Sequence, residues 1–513
     1  MGNRYYRNVL ELLEERFRQT PDAIAFGDDK RDITYRDLYY GARFIGSFFS
    51  DKIKRRDAVA FYMEKSCDAL VGMFGIVYAG GFYSFLDVRQ PAGRIDKIIE
   101  KLSPKVIFTD SQMLEKSKEL TIPKGAEVVL LDEIISYDPE RVDDRMLEKI
   151  RSTALDIDPL YVNFTSGSTG TPKGVTVSHR SVLEFISYFT DIFGITNDDI
   201  LGNQAPFDFD VSVKDIYSGL MTGAKVQLIP RDYFSNPTKL MDYLADKKVT
   251  VLVWAVSAMC FVAIMNGLEY RKPEDIRMIM FSGEVMPIKH LNHWKKFYPD
   301  ATYVNLYGPT EITCNCTYHI LDREYELTET IPAGKTFPNE HVFLLDDEDK
   351  EVTAPGEVGE ICVTGTSLAL GYFGDDEKTK ASFMQNPLNK LFNEEMYRTG
   401  DLGKFDENGL LYYVSRKDFQ IKHLGQRIEL GEIEVAAMAV SGVERACCIY
   451  DHDKKKIVLF YCGDLDKKEL VASLKEALPQ FMVPTAVRQM EELPLNKNGK
   501  IDRQKLISVY KEK

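Results

Sequence analysis

Residues 165–174 read Thr-Ser-Gly-Ser-Thr-Gly-Thr-Pro-Lys-Gly, so eight of the ten are Gly, Ser or Thr. Glycines let a backbone approach a ligand closely and present its amide hydrogens, and hydroxyls add further donors. Lys173 adds a positive charge at the end of the run. Thr165, Ser166, Gly167, Ser168, Thr169, Gly170 and Lys173 together suit a polyphosphate. The spacing G-x-x-x-x-G-K-[ST] of a Walker loop is absent, so this is a different phosphate cradle. Cys314-Asn315-Cys316 is the other short constellation that invites a chemical reading. No second Cys/His pair at finger spacing accompanies it, and a structural zinc site wants four N or S ligands, so no zinc is expected there.

The phosphate-type loop follows the apolar run Tyr161–Phe164, which reads as a strand, and that placement argues against a free linker. Further buried-strand candidates are Ala58–Met63, Val106–Thr109, Glu127–Leu131, Lys225–Ile229, Val249–Trp254, Met278–Phe281 and Thr302–Asn305. Amphipathic helical stretches such as Asn8–Thr20, Arg36–Phe49 and Pro237–Lys247 lie between them. This βα rhythm predicts an α/β architecture. After Pro332 short strands with turn signals take over and helices become scarce, which predicts a small β subdomain. A fresh βα pattern begins near Gln420 and ends in a helical tail, Arg503–Tyr510. Residues 417–513 hold 17 Lys and Arg against 15 Asp and Glu, whereas the rest holds 48 against 64. That break in charge predicts a large N-terminal domain over 1–416 and a small α+β C-terminal domain over 417–513.

The net charge of −14 speaks against a nucleic-acid binder, which needs a basic face. The eight cysteines lack the spacing of a disulfide framework and are expected to be reduced thiols. The first residues carry acids and no apolar segment, so no secretory leader is expected, and Tyr6 stands where a myristoylation signal has Ser or Thr. Ala69–Leu86 is eighteen residues without a charge, long enough to raise a membrane span. Its four glycines, with Gly80 and Gly81 adjacent, predict instead a helix to Ala79, a turn and a buried strand. The expectation is a soluble, cytoplasmic protein with no membrane or nucleic-acid partner.

Four ordered motifs carry a family resemblance. The run 165–174, Tyr307-Gly-Pro-Thr-Glu311, Tyr397-Arg-Thr-Gly-Asp401 and Asn498-Gly-Lys-Ile-Asp502 together resemble adenylate-forming ligases. The nearest branch is similar to the amino-acid adenylation domains of nonribosomal peptide synthetases and the D-alanine–carrier protein ligases. The resemblance runs from Ile33-Thr-Tyr-Arg-Asp-Leu38 to Arg503, nearly the whole chain. It implies a reaction in two halves: an amino-acid carboxylate attacks the α-phosphorus of ATP and releases pyrophosphate, then a phosphopantetheine thiol displaces AMP. Such a reaction brings two anions together and calls for cationic stabilisation.

The roles that follow are those the resemblance implies. Lys500 matches the lysine bridging carboxylate and α-phosphate, and Glu311 the magnesium-binding glutamate, a carboxylate beside phosphates making sense with a metal between. Tyr307 matches the adenine-stacking aromatic and Asn305 the residue reading the adenine edge. Asp401 matches the acceptor of the ribose hydroxyls and Arg416 a nearby ribose or phosphate contact. Gly283, Glu284, Gly308 and Thr310 complete the nucleotide set. Ser415 departs from the family, which usually has Gly before that Arg.

Asp210, in Ala205-Pro-Phe-Asp-Phe-Asp-Val-Ser-Val213, matches the aspartate pairing with the substrate α-ammonium, and Val211-Ser212-Val213 favours it over Asp208. The remaining pocket positions carried across are Val211, Lys214, Val253, Met280, Ser282, Leu306, Cys314 and Asn315, with Lys500 shared. Trp254-Ala255-Val256-Ser257 replaces the usual run containing Pro-Ser. Ser282, Leu306 and Asn315 resemble a pocket for serine or another small polar residue, although D-alanine ligases usually have Cys where Ser282 stands. Lys214 either snorkels outward or meets an acidic side chain.

The implied protein is a monomeric ligase that uses ATP and Mg2+ to load a small amino acid onto a carrier-protein pantetheine supplied in trans. Its C-terminal domain is expected to be mobile, swinging about a hinge at Asp418 between a pose that inserts Lys500 and a pose that opens the thiol path with Gly425 facing the site. The rivals are a carboxylate–CoA ligase of the same fold, disfavoured by Asp210, and a silent AMP-binding protein, disfavoured by the intact lysine and phosphate loop.

Overall fold

Short runs of Val, Ile and Phe without polar alternation pack as strands covered on both faces, and the computed structural model builds two large sheets from them. It describes residues 5–167, 171–417, 419–495 and 501–511. Among these, a seven-stranded sheet runs in the order Gly371–Tyr372, Lys173–Ser178, Pro159–Thr165, Phe82–Phe85, Ala58–Phe61, Val106–Thr109 and Glu127–Leu130. Its first two strands are antiparallel to their neighbours and the rest are parallel. A nine-stranded sheet has a parallel centre, with Ile200–Asn203, Val251–Ala255, Met278–Ser282 and Thr302–Tyr307 side by side. Thr317–Ile320 and Lys335–Thr336 extend it antiparallel.

The helices Leu10–Gln19, Tyr35–Phe48, Cys67–Tyr78, His179–Phe193 and Val211–Thr222 share one buried apolar cluster with strands of both sheets, joining Leu13, Leu38, Val71 and Ile186 to Val59, Val226 and Met280. The uncharged stretch at 69–86 is explained by this core. Its helix is buried from end to end and meets Tyr35–Phe48 at glycines: a Cβ on Gly75 would lie 2.5 Å from Ile45 Cβ, and one on Gly46 2.6 Å from Tyr78 Cβ. Backbones so close leave no room for larger side chains. Gly80, at φ +85°, turns the chain into the strand Phe82–Phe85. No helix among the described residues is long and apolar enough to cross a membrane.

Ile33–Leu38 marks a helix start. Thr34 Oγ1 accepts from the Asp37 amide at 3.1 Å, and Asp37 Oδ2 accepts from the Thr34 amide at 2.9 Å. This reciprocal cap satisfies two otherwise orphaned donors and stabilises the helix by about 0.5–2 kcal/mol.

The β-rich section after Pro332 forms a third, antiparallel sheet from Glu340–Leu345, Gly359–Gly365, Glu395–Phe405 and Phe383–Gln385, with Leu411–Arg416 paired to Glu395–Phe405. One helix, Asp376–Ser382, interrupts it. Beyond it, Gln420–His423 and Gln426–Glu429 form a hairpin. The strands Arg445–Asp451, Lys456–Cys462 and Ala486–Gln489 form a separate sheet. The latter packs Leu459 against Ile433 and Leu470 in a core of its own. The tail helix spans Arg503–Lys511.

Candidate functional site

The phosphate-type run is flanked by two paired antiparallel strands. Thr165 closes one strand, Lys173 opens the next, and the two stand opposite each other in register. The second strand, Lys173–Ser178, was legible in the alternation of Val175 and Val177 but is not among the expected strands. Ser168, Thr169 and Gly170 lie outside the described residues. Thr165 Oγ1 is buried without a hydrogen-bond partner among the described residues, a donor that an acceptor ligand would satisfy.

Lys173 is buried and points into a charged cluster around Glu311. Glu311 is fully buried. Its Oε1 accepts from the Tyr372 hydroxyl at 2.8 Å and lies 3.3 Å from Lys173 Nζ, while Oε2 accepts from Arg427 at 2.7 Å. Burial pushes the Glu311 carboxyl up, but Arg427 and Lys173 outweigh it and hold the group well below the usual carboxylate range. Burial, reinforced by Arg427, pulls Lys173 down to about 8. One deeply buried carboxylate fits a magnesium ion that takes the rest of its ligands from phosphates and water. In the structure both oxygens of that carboxylate are already engaged, so metal binding there requires Arg427 to withdraw.

Arg427 comes from the hairpin Gln420–Glu429, beyond the third sheet. The same hairpin makes several other contacts with the core. The Arg427 carbonyl accepts from Ser166 Oγ at 2.6 Å. The Gly425 amide donates to Glu284, and Lys455 Nζ lies 3.4 Å from the same carboxylate. Lys422 Nζ sits 5.4 Å from the centre of the Tyr307 ring, and burial lowers the pKa of that lysine. Arg94 pairs with Glu432 close by. The Gly425 amide therefore faces Glu284 in this structure. Arg427, Lys422 and Tyr372 were missed in the sequence. Their roles come from a hairpin docking against distant strands, and no local spacing signals that. Lys500 and Asp418 lie outside the described residues.

Asp401 and Arg416 stand opposite each other on neighbouring antiparallel strands. Arg416 donates to Asp401 Oδ1 at 2.8 Å and to the Thr399 carbonyl at 2.9 Å, and the Tyr307 hydroxyl donates to Asp401 Oδ2 at 2.6 Å. Cross-strand register thus explains how two residues fifteen positions apart form one polar platform. Ser415 sits within the same strand opposite Leu402, so its departure from Gly leaves Arg416 in place. The Asn305 side chain donates to the Pro332 carbonyl at 2.7 Å.

Of the positions expected to line the amino-acid pocket, Ser282 and Leu306 lie at or near the C-terminal ends of neighbouring parallel strands, where open α/β sheets bind ligands, and Val253 and Met280 lie at the middle of theirs. Val253 pairs with Met280, and Ser282 with Leu306, on three adjacent strands. Gly283, at φ +94°, and Glu284 follow directly. Asp210 is buried immediately ahead of the helix Val211–Thr222. Burial raises its pKa, with the Thr310 hydroxyl and Lys214 acting against that rise. Cys314 Sγ meets the Asp210 carbonyl at 3.0 Å. Lys214 does not reach outward: it is fully buried and donates to Asn315 Oδ1 at 2.7 Å. Asp208 lies elsewhere, within reach of Asp87 and Arg231, and burial takes it to about 7.

Gly308 follows Tyr307 and lies against the Cys314–Cys316 loop. A Cβ there would lie 2.5 Å from Asn315 Cα, 2.8 Å from the Cys316 amide nitrogen and 2.9 Å from the Cys314 carbonyl. All three are backbone atoms, which cannot rotate away. Gly308→Ala is expected to lower stability by about 1–3 kcal/mol, the range for overpacking, and to displace Asn315. An unchanged melting temperature would show that the loop yields freely.

A family model described as AMP-binding enzyme matches residues 13–373, and one described as AMP-binding enzyme C-terminal domain matches residues 432–500. The chain is 31% identical to zwittermicin A synthase ZmaJ of Bacillus cereus, over 98% of this chain and 95% of that protein. It is 30% identical to tyrocidine synthase 2 of Brevibacillus parabrevis, over 98% of this chain but only 14% of that protein, so it spans a small part of such large synthases. The fold is shared with the Vibrio cholerae adenylation domain AlmE, solved with glycyl-adenosine-5'-phosphate, at a TM-score of 0.83 and 21% identity over 99% of both chains.

Proposed function

The chain belongs to the AMP-binding enzyme family, and from that premise we propose that it activates an amino acid as its adenylate and passes it to the phosphopantetheine thiol of a carrier protein. The observation that carries the amino-acid reading is Asp210. It is a buried carboxylate immediately ahead of the helix Val211–Thr222, and Lys214, one turn on, hydrogen-bonds Asn315, with no ion pair between the two among the described residues. An acid in such a place is unfavourable unless a cation meets it, and the α-ammonium of an amino acid is that cation. The pocket residues Ser282, Leu306 and Asn315 support a small or small polar side chain. The experiment is ATP–pyrophosphate exchange with each amino acid in both configurations, followed by loading of a holo carrier protein. Exchange with simple carboxylates such as decanoate and with no amino acid would overturn the reading.

ATP is held, on this reading, by the loop at 165–174, the Tyr307–Asp401–Arg416 platform, Asn305, and the segments Gly283–Glu284 and Gly308–Thr310. Lys173 supplies positive charge to the phosphates. Glu311 is the protein ligand for magnesium, which supplies charge neutralisation of the phosphates when bound. Lys500 neutralises the reacting carboxylate and α-phosphate. We assign 1–416 to the core and 417–513 to a small domain that alternates between two poses about Asp418, and the docked hairpin with Gly425 and Arg427 supports the pose for thiol transfer.

Glu311→Gln follows as a test. A neutral amide is a poorer ligand for a hard cation, so the magnesium concentration for half-maximal exchange is expected to rise and the rate to fall. The substitution also leaves Arg427 and Lys173 buried without their counter-charge, which lowers stability by up to about 3–5 kcal/mol. A magnesium titration separates the two effects, because added metal rescues the first and not the second. Wild-type exchange at limiting magnesium would sink the metal role.

A further inference from the structure

Asp210 can meet a substrate in one place only if the loop that carries it is fixed. That loop, residues 204–209, joins the strand Ile200–Asn203 to the helix Val211–Thr222. Its backbone has left the sheet, so its carbonyls need other donors. The Gln204 and Ala205 carbonyls receive no backbone amide among the described residues. One side chain meets them both. Lys65 lies between the strand Ala58–Phe61 and the helix Cys67–Tyr78. Its Nζ stands 2.9 Å from the Asn203 carbonyl, from Asn203 Oδ1 and from the Gln204 carbonyl, and 3.3 Å from the Ala205 carbonyl. An ammonium has three protons to donate, so these oxygens occupy it fully.

Asn203 carries the contact across the loop. It is fully buried, its Oδ1 accepts from Lys65, and its Nδ2 donates to Asp215 Oδ2 at 2.9 Å. Asp215 belongs to the helix that Asp210 precedes. Lys65 therefore grips the strand side of the loop directly and the helix side through Asn203. Between them, Phe207 is buried with its ring 5.2 Å from that of Phe85. The loop hangs from the nine-stranded sheet, whereas Lys65 and Phe85 come from the seven-stranded sheet, which also carries Thr165 and Lys173. The clamp thus ties Asp210 to the sheet that presents the phosphate-type run.

We infer that Lys65 is a positioning residue for the amino acid. It acts through Asp210 and not by touching the substrate. By holding the loop 203–210 against the other sheet, it sets Asp210 so that an ammonium paired there brings its own carboxylate to the nucleotide. The inference rests on the amino-acid reading proposed above and adds to it a residue distant in sequence from every motif.

The test is ATP–pyrophosphate exchange with alanine, serine and every other amino acid that the wild type exchanges. Lys65→Met keeps an apolar stem and removes the donors. Its amino-acid KM is expected to rise about tenfold or more, the scale of buried carbonyls left without a donor, while the KM for ATP stays within about twofold. A loss of folded protein would lower the apparent kcat and move neither KM. Asn203→Leu keeps Lys65 and cuts the link to Asp215. It is expected to raise the same KM, and it decides the outcome if Lys65→Met does not fold. In an Asp210→Ala background Lys65→Met should add less than about twofold, because its effect passes through Asp210. An amino-acid KM within about twofold of wild type in both single variants overturns the inference. An equal rise in both KM values overturns it as well, and so does a Lys65→Met effect that persists in full without Asp210. Wild-type silence with every amino acid overturns the amino-acid reading itself, which separates that failure from the others.

Discussion

Replacing Asp210 by alanine is expected to reduce kcat/KM for amino-acid-dependent exchange by about 2–5 kcal/mol, roughly thirtyfold to several thousandfold, the range for removing one partner of a buried charge pair. The expectation follows from where Asp210 sits. It precedes a helix whose first turns are buried, and solvent has no access to compensate a lost carboxylate. Asp210→Asn keeps the shape and removes the charge, so it should lose nearly as much if pairing with the ammonium is the role. The loss should fall mainly on the amino acid and leave the KM for ATP little changed, because the proposed nucleotide platform is built from Tyr307, Asp401 and Arg416. Acidity gives an independent check. Burial raises the pKa of Asp210 above that of an ordinary aspartate. Protonation removes the charge that pairs with the ammonium, so the amino-acid KM should climb as pH falls, beginning at a higher pH than an exposed aspartate would give. Exchange by Asp210→Ala within twofold of wild type would show that the ammonium is bound elsewhere.

Arg427→Ala and Lys500→Ala are expected to divide the two half-reactions between them. In the structure Arg427 closes on Glu311, and its carbonyl is held by Ser166. That contact stabilises the pose in which the hairpin faces the site, and it occupies the carboxylate that the proposed adenylation step uses. Truncating Arg427 removes one partner of a buried pair, which lowers the docked pose by up to about 3–5 kcal/mol. Lys173 and Tyr372 remain on Glu311 and moderate the loss. Transfer from a preformed adenylate to a holo carrier protein should therefore slow by roughly tenfold to a hundredfold or more, following the population of the competent pose. Pyrophosphate exchange should stay within a few-fold of wild type. Lys500→Ala should do the reverse, crippling adenylation and sparing transfer. Single-turnover transfer and exchange are measured separately on both variants. If each variant loses both steps equally, the alternation of the C-terminal domain does not organise this chemistry.

Much of this was readable in the amino-acid order because local physics writes it there. Unbroken apolar runs such as Val106–Thr109 and Met278–Ser282 can only be buried strands. Thr34 and Asp37 mark a helix start through bonds spanning three residues. Ordered motifs along the chain carried the family. In each case the cause and the effect lie within a few residues of each other.

The tertiary structure decided what depends on which distant segments meet. Glu311 was singled out in the sequence, but its present partners, Lys173, Tyr372 and Arg427, come from three separate parts of the chain. Lys214 had two open readings in the sequence, and burial against Asn315, a hundred and one positions away, settled where it points. Arg416 reaches Asp401 through antiparallel register, which no spacing along the chain encodes. Periodicity and turn chemistry act over the length of one element. Charge pairing in a water-free site acts over a few ångströms of space, and only the folded chain determines which charges share them.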